Sequence, residues 1–163
     1  MNKVILITGG NIGNRKKNLQ TAAALIEEQV GTIIQSSKIY ETEAWGLSGQ
    51  HAFYNQVHIL ESKLDAQTII DTILEIETKM GRVRTVKNAA RIIDIDILFF
   101  NDEIIHEPNL TIPHPEISNR RFVLMPMEEV APEMIHPVLK KSIRELLCIS
   151  TDKLKVTPLT TLP

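Results

Sequence analysis

The chain has 163 residues, and its 18 lysines and arginines nearly balance 20 aspartates and glutamates, for a formal net charge of −2. This length suits one domain, so we expect residues 1–163 to form a single domain. The near-neutral charge excludes a general nucleic-acid binder and a polybasic membrane anchor. No signal-peptide core and no run of about 20 apolar residues is present, so no membrane association is expected. Cys148 is the one cysteine in the sequence, which indicates a reducing, cytoplasmic location.

The hydrophobic pattern predicts alternating strands and helices. In chain order, we expect a strand at 4–8, a helix at about 15–30, strands at 32–42 and 53–61, a helix at about 66–80, a strand at 91–99 and a short helix at about 142–147. The order β-α-β-β-α-β is that of the α+β, ferredoxin-like fold, a mostly antiparallel sheet with helices packed on it. This fold serves enzymes and binding modules alike, so it does not decide function. The weakly patterned tail after about residue 150 is expected to be poorly ordered.

Three glycines, Gly9, Gly10 and Gly13, follow the first predicted strand. Their spacing is neither the G-x-G-x-x-G of a dinucleotide-binding turn nor the G-K-[ST] ending of a phosphate-binding loop. We therefore interpret this segment as a tight strand-to-helix turn whose glycines take positive φ angles.

Two acidic residues, Asp94 and Asp96, occur within the strand predicted at 91–99. The strand period of two puts both carboxylates on one face, with Cα atoms roughly 6.6 Å apart. Paired carboxylates repel unless a cation lies between them, and oxygen ligands without histidine or cysteine favour Mg²⁺ or Mn²⁺. A solvated face is the alternative. The opposite face is apolar and is expected to meet the helices: Ile93, Ile95, Ile97 and Phe99.

A basic segment, residues 82–91, precedes the acidic pair and lacks a hydrophobic period, so we expect a mobile loop. Its arginines Arg82, Arg84 and Arg91 can neutralise phosphate oxygens beside a carboxylate-bound Mg²⁺, which is the minimum set for phosphoryl-type transfer. The alternative, that the cations only keep the loop solvated, is accepted for Lys87.

Glu77 and His114 each allow two interpretations. Glu77 falls near the middle of the apolar stripe of the helix at about 66–80, where a carboxylate must be paired. It either faces the site from the helix end or pairs with an arginine. His114 lies between two prolines that hold the backbone extended, and it either binds phosphate or is structural.

Short segments spread over nearly the whole chain match one enzyme family. They are 9–15 (GGNIGNR), 37–42 (SKIYET), 53–55 (FYN), 81–84 (GRVR), 90–98 (ARIIDIDIL), 112–115 (IPHP), 120–124 (RRFVL) and 129–132 (EVAP). Any one segment is unspecific, but the ordered set resembles the 6-hydroxymethyl-7,8-dihydropterin pyrophosphokinase family. The sequence departs from the usual family pattern at Gly10, where serine is frequent, and at Glu43, where proline is frequent.

The resemblance implies an ATP- and Mg²⁺-dependent enzyme of folate biosynthesis. Such an enzyme transfers pyrophosphate from ATP to the hydroxymethyl group of 6-hydroxymethyl-7,8-dihydropterin and releases AMP. By the same resemblance, Asp94 and Asp96 hold two Mg²⁺ ions, and the transferring group is stabilised by Arg82, Arg84 and Arg91. The implied pterin-binding residues are Thr42, Phe53, Asn55 and Phe122. The implied ATP-binding residues are Glu77, Thr111, His114 and Arg120. We expect a monomer whose partners are these two small-molecule substrates.

Two other functions stay open on the residues alone. One is a ferredoxin-like module that binds a small ligand or RNA, although the acidic pair opposes RNA binding. The other is a metal-dependent nucleotidyltransferase with the same paired aspartates. The latter attacks a different phosphorus, so the products formed from ATP separate it from a pyrophosphokinase.

Overall fold

A computed structural model of the protein describes residues 1–43, 51–83 and 90–159. The strands are β1 (Asn2–Gly10), β2 (Thr32–Ser36), β3 (Tyr40–Thr42), β4 (Phe53–Ser62), β5 (Asp94–Phe100), β6 (Ile105–Glu107), β7 (Leu110–Ile112) and β8 (Val156–Pro158). The helices are α1 (Arg15–Gln29), α2 (Ala66–Lys79), α3 (Arg121–Val130) and α4 (Ile143–Ile149), with a short 3₁₀ turn at Ile117–Asn119. No helix in the described part of the chain has the length and apolar character needed to cross a membrane.

The main sheet is antiparallel, as predicted. Its strands lie in the order β5-β1-β4-β3-β8, and β2 also pairs with β4. The short strands β6 and β7 form a separate hairpin. The chain therefore has the predicted α+β layout, with β1 and β4 at the centre of the sheet.

Helices cover both faces of this sheet. α1 and α2 bury their apolar stripes against one face, and this core includes Leu19, Ile26, Ile69, Ile73 and Ile95. α3 and α4 cover the other face, and that core includes Val57, Val123, Leu124, Ile143 and Leu146. Each such side chain stabilises the fold by about 1.5–3 kcal/mol on burial. The strands are thus held rigidly between two layers, and their ends are free to present polar groups.

The strand predicted at 32–42 is two strands, β2 and β3. Between them Ser37 donates its N–H to the Val57 carbonyl, while Ser37 Oγ accepts the Val57 N–H at 3.0 Å. The Ser37 hydroxyl thus takes the place of the backbone carbonyl that would accept the Val57 N–H in a regular sheet. Hydrophobic periodicity carries no information on such a replacement, which is why the prediction joined the two strands.

The alternation of β5 changes at Leu98. Ile5 of β1 pairs with Phe99, but Leu6 pairs with Ile97, so Leu98 is an extra residue in β5. Ile97 consequently packs on the α1–α2 side, as predicted, whereas Phe99 packs on the α3–α4 side. The prediction that Phe99 shares the face of Ile97 is wrong, because a bulge reverses the alternation.

The chain after residue 150 differs from the expected disorder over its described part. β8 pairs with β3 so that Val156 lies opposite Thr42 and Pro158 opposite Tyr40. Leu159 extends this contact by donating its N–H to the Ile39 carbonyl. Pairing with a distant strand orders a segment that has little pattern of its own.

Candidate active site

Three strand ends meet at one edge of the main sheet. β1 runs toward this edge, while the antiparallel β4 and β5 start there, so that Gly9 lies between Asn55 and Asp94. A cavity of about 210 Å³ opens at this point. Its lining combines strand residues with residues of the later loops, the start of α3 and the C-terminal tail: Thr42, Phe53, Asn55, Arg91, Asp94, Asp96, His114, Arg120, Phe122 and Leu154.

The glycines at the end of β1 permit close approach of neighbouring groups. A Cβ on Gly9 would lie 2.0 Å from Asn55 Nδ2, and one on Gly10 would lie 2.3 Å from the Ile92 carbonyl oxygen. Positive φ occurs at Gly13, where φ is 70°, but Gly9 and Gly10 belong to β1. The predicted positive φ angles are therefore wrong for those two glycines, which are required for space instead.

Asp94 and Asp96 share a strand face and line the cavity, as the strand period predicts. Asp96 is exposed at the cavity mouth, but the protein groups around its carboxylate partly desolvate it and so raise its pKa; interaction with His114 opposes this rise, and the Asp94 carboxylate adds to it. Among the described residues, no group of three or more histidine, cysteine or acidic side chains is placed so that it could hold a metal ion by itself. Two carboxylates nevertheless fit Mg²⁺, which binds proteins through one or two carboxylates and takes its other ligands from water and phosphate.

Arg82 and Arg91 both contact Asp94, one at each carboxylate oxygen. Arg82 Nη2 is 2.9 Å from Asp94 Oδ1, and Arg91 Nη1 donates to Asp94 Oδ2. The Arg91 guanidinium also lies 5.5 Å from the centre of the Phe53 ring. The two ends of the predicted basic loop thus converge on the acidic pair. Arg84 lies outside the described residues.

Glu77 is buried behind this ion-pair cluster, with 5% of its surface exposed. Its Oε2 accepts the Ile95 N–H at 2.7 Å, and its Oε1 is 3.7 Å from Arg82 Nε. Burial raises the pKa of Glu77 to about 7, although the Ile95 hydrogen bond and the Arg82 charge oppose the rise. Of the two interpretations of Glu77, the structure therefore supports pairing with an arginine. It also shows a hydrogen bond to the backbone of Ile95, the residue between the two aspartates.

The aromatic side of the cavity is formed by β3, β4 and the first turn of α3. Phe53 of β4 pairs with Thr42 of β3, and Asn55 lies two residues further along β4. Phe122 enters from α3, with the Arg120 guanidinium 4.8 Å from its ring centre. Among the described residues, the buried Thr42 Oγ1 has no hydrogen-bond partner. We call Thr42, Phe53, Asn55 and Phe122 the aromatic half of the cavity.

The structure brings His114 and Arg120 to the cavity but leaves Thr111 outside its lining. Thr111 is exposed on β7, in the hairpin that β6 and β7 form apart from the main sheet. His114 Nδ1 accepts the Glu116 N–H at 3.1 Å, so a neutral His114 carries its proton on Nε2. His114 thus has a hydrogen-bond donor in addition to its position on the cavity wall.

Among the residues that build the site but were not assigned to it from the sequence, Asn11 holds Arg91 without lining the cavity, and Leu154 forms part of the cavity wall. Asn11 exchanges two hydrogen bonds with the backbone of Arg91, each at 2.9 Å, and its Nδ2 donates to the His51 carbonyl. From the sequence, Asn11 was interpreted only as part of a turn. Its position between Gly10 and Gly13 could have indicated a side chain that bonds to the backbone of a neighbouring segment. Leu154 lines the cavity from the C-terminal tail, and no local pattern marks it.

The fold and the site define an α+β protein with paired carboxylates, converging arginines and an aromatic cleft. Residues 5–132 match the family model described as 7,8-dihydro-6-hydroxymethylpterin-pyrophosphokinase. The chain belongs to this family, which confirms the resemblance predicted from the sequence.

Curated relatives agree with this assignment. The chain is 36% identical over 145 residues to the 2-amino-4-hydroxy-6-hydroxymethyldihydropteridine pyrophosphokinase of Aquifex aeolicus, covering 89% of this chain and 90% of that protein. It is 38% identical to the protein of the same name from Porphyromonas gingivalis, covering 82% and 93%. It is also 36% identical to the folic acid synthesis protein FOL1 of Dictyostelium discoideum over 95% of this chain, which spans 22% of the length of that protein.

Solved structures show the same fold. The HPPK-DHPS protein of Plasmodium falciparum superposes with a TM-score of 0.76 at 21% sequence identity, covering 90% of this chain and 45% of the Plasmodium chain. The predicted ferredoxin-like fold is thereby confirmed.

Proposed function

We propose that this protein transfers pyrophosphate from ATP to the hydroxymethyl group of 6-hydroxymethyl-7,8-dihydropterin and releases AMP, a step of folate biosynthesis. Family membership supports the proposal, and so do the pyrophosphokinases that align along most of their length. One observation carries it: a single cavity joins the paired carboxylates Asp94 and Asp96, two arginines and the aromatic half. Such a cavity suits a polyphosphate next to a flat heterocycle.

The reaction makes one bond and breaks one bond. The hydroxymethyl oxygen of the pterin attacks the β-phosphorus of ATP, and the bond from that phosphorus to the oxygen bridging the α- and β-phosphates breaks. The bond electrons leave with AMP, and the hydroxyl proton is lost to solvent. Because the transition state needs positioning and charge neutralisation, no covalent nucleophile is required of the protein.

The acidic pair is the site for Mg²⁺, and we propose that it takes two ions together with ATP. When bound, Mg²⁺ neutralises phosphate oxygens and lowers the pKa of the attacking hydroxyl group. Asp94 and Asp96 supply hard oxygen ligands from a rigid strand. Asp94 pairs with both Arg82 and Arg91, and these ion pairs balance the negative charge that Asp94 would offer to a bound Mg²⁺.

Arg82 and Arg91 stabilise the transferring pyrophosphoryl group. Each guanidinium has five N–H donors in a planar fork, and this fork matches the geometry of phosphate oxygens. Arg84 assists from the same segment. On the nucleotide side, His114 and Arg120 contact ATP along the cavity wall, Thr111 contacts it from β7, and Glu77 supports this side by holding Arg82.

The aromatic half binds the pterin. Phe53 and Phe122 stack on the two faces of the ring, and Asn55 and Thr42 form hydrogen bonds to its polar edge. The Thr42 Oγ1, buried without a partner among the described residues, gains one from the substrate. We further propose that residues 1–163 act as one catalytic domain, as a monomer and in the cytoplasm.

ATP labelled at the γ-phosphate tests the reaction class in one assay. With 6-hydroxymethyl-7,8-dihydropterin and Mg²⁺ present, the label is expected on the pterin, and AMP is expected as the other product. ADP together with a singly phosphorylated pterin would mean an ordinary kinase. Labelled free pyrophosphate would mean nucleotidyl transfer. Either outcome contradicts the proposal, as does AMP formation that does not depend on the pterin.

A further inference from the structure

The segment of residues 150–158, which we call the C-terminal strap, runs beside the aromatic half and contributes Leu154 to the cavity lining. It lies beyond residue 132, where the match to the family model ends. Its first residues fold back on themselves, since the Asp152 N–H donates to Ser150 Oγ. Its last residues form β8, which pairs with β3. The strap therefore connects α4 to β3, the strand that carries Thr42.

Asp152 caps helix α3 from outside that helix. The residue at the N-cap position of α3, Arg120, makes no side-chain capping bond. Asp152 Oδ2 instead accepts the Arg121 N–H at 2.8 Å, and Asp152 Oδ1 accepts the Leu154 N–H at 3.1 Å. A carboxylate at a helix N-terminus is favoured by the helix dipole. One side chain thus joins the first turn of α3, which carries Phe122, to the strap.

Leu154 is fixed between β3 and α3 by this arrangement. Val156 lies opposite Thr42, and the Lys155 N–H approaches Glu43 Oε1 at 3.5 Å, so the two residues that follow Leu154 are held beside the end of β3. On its other side the Leu154 N–H is bound by Asp152, which holds Arg121. The half-buried Leu154 side chain lines the same cavity as Phe53 and Phe122.

We propose that the C-terminal strap completes the pterin site: Leu154 is a specificity-determining residue that covers one edge of the pterin ring, and Asp152 is a positioning residue that sets Phe122 against Phe53. This inference rests on the proposed function and adds to it a binding wall that the motifs do not contain. A leucine beside the ring favours ligands whose adjoining edge is flat and apolar, because it excludes water from that edge. Its contribution falls on the pterin and not on ATP.

Leu154→Ala is the first test, with Leu159→Ala as its matched control. Leu159 is also half-buried and lies just past β8, but it is absent from the cavity lining. We expect Leu154→Ala to raise the KM for the pterin about tenfold, the scale on which pockets respond to lost apolar contacts, while the KM for ATP stays within about twofold. Leu159→Ala should leave both constants near the wild-type values. A pterin KM unchanged by Leu154→Ala, or an equal rise in both KM values, would overturn the specificity role.

Asp152→Asn and Asp152→Ala form a graded second test. Asparagine keeps one acceptor oxygen for the two N–H groups that aspartate binds, and alanine keeps none. The dissociation constant of the pterin, measured by fluorescence in the presence of a non-hydrolysable ATP analogue, is expected to rise in the order wild type, Asn variant, Ala variant. Equal affinity in all three proteins would overturn the positioning role.

The two proposals fail in different ways. If the wild-type chain forms no AMP from ATP and the pterin, the proposed function is wrong. If the wild-type chain is active but the Leu154 and Asp152 variants bind the pterin as well as it does, the function stands and the strap inference is wrong.

Discussion

Replacing Glu77 by alanine is expected to destabilise the protein and to slow the reaction together. Glu77 is buried, and its Oε2 accepts the Ile95 N–H at 2.7 Å. Without this acceptor a buried N–H is left unsatisfied, which costs about 1–3 kcal/mol. One buried methylene is also lost, at about 0.8 kcal/mol. The free energy of unfolding should therefore fall by about 2–4 kcal/mol.

The glutamine variant separates the hydrogen bond of Glu77 from its charge. Burial raises the pKa of Glu77 to about 7, so its neutral, protonated form is populated near neutral pH and a neutral amide resembles that form. The amide oxygen can still accept the Ile95 N–H. We expect Glu77→Gln to lose no more than about 1 kcal/mol. Arg82, which retains Asp94 at 2.9 Å, should stay in the site.

Urea denaturation of both variants, with steady-state kinetics on the same preparations, measures these effects. Glu75→Ala on the exposed side of α2 is the matched control and should change stability by less than about 0.5 kcal/mol. Equal m-values are required, so that the midpoints report stability alone. A loss below about 1 kcal/mol for Glu77→Ala, or an equal loss for alanine and glutamine, would refute the assignment of Glu77 as the acceptor for Ile95.

Three further predictions concern the metal site, the pterin site and pH. Asp94→Asn should lower the rate of AMP formation at saturating Mg²⁺ by about 100-fold or more, whereas Asp102→Asn, exposed in the turn after β5, should not. Gly9→Ala should raise the pterin KM more than the ATP KM, because the new Cβ would lie 2.0 Å from Asn55 Nδ2. His58→Leu should flatten the fall of stability between about pH 6.5 and 4, because burial lowers the pKa of His58 to about 4.

The sign of the pH effect follows from proton linkage. An unfolded histidine binds a proton near pH 6.5 and the buried one does not, so acid favours the unfolded state by up to roughly 3 kcal/mol. The raised pKa of Glu77 has the opposite effect on stability, but wild type and His58→Leu both contain Glu77. Its contribution therefore cancels when the two curves of stability against pH, measured by urea denaturation, are subtracted. Parallel curves for wild type and His58→Leu would contradict the low pKa of His58.

The other two predictions are also refutable. Near-normal turnover in Asp94→Asn would contradict the metal site, and an unchanged pterin KM in Gly9→Ala would contradict the pterin site.

Local patterns predicted the main elements because each has a clear period and a signal at its ends. Asn14 and Asp65, for example, accept backbone N–H groups at the starts of α1 and α2. The shared face of Asp94 and Asp96 was also predictable, because the strand period of two holds over the first residues of β5. The same reasoning failed for Phe99, since the extra residue Leu98 is imposed by pairing with β1 and not by any pattern within β5.

The partner of Glu77 could not be chosen from the sequence. Helical geometry placed it on an apolar stripe and demanded a partner, but Arg82 and an N–H of β5 satisfy that demand equally. The structure shows that both do. Such a choice depends on how α2 packs on the sheet, and Ile95 lies 18 positions after Glu77, too far along the chain for a local pattern to indicate the contact.

By itself, the sequence determined the α+β order of elements, the acidic pair, the arginines near it and the family. The resemblance implied that Asn55, Phe122 and Asp94 serve one site, but their meeting at a single cavity, and the place of Leu154 in its wall, became visible only in the folded structure. Their meeting depends on the pairing of β1 with both β4 and β5 and on the bond from Asp152 to the start of α3. These contacts join residues far apart in the chain, so they arise only when the sheet and its helices pack together.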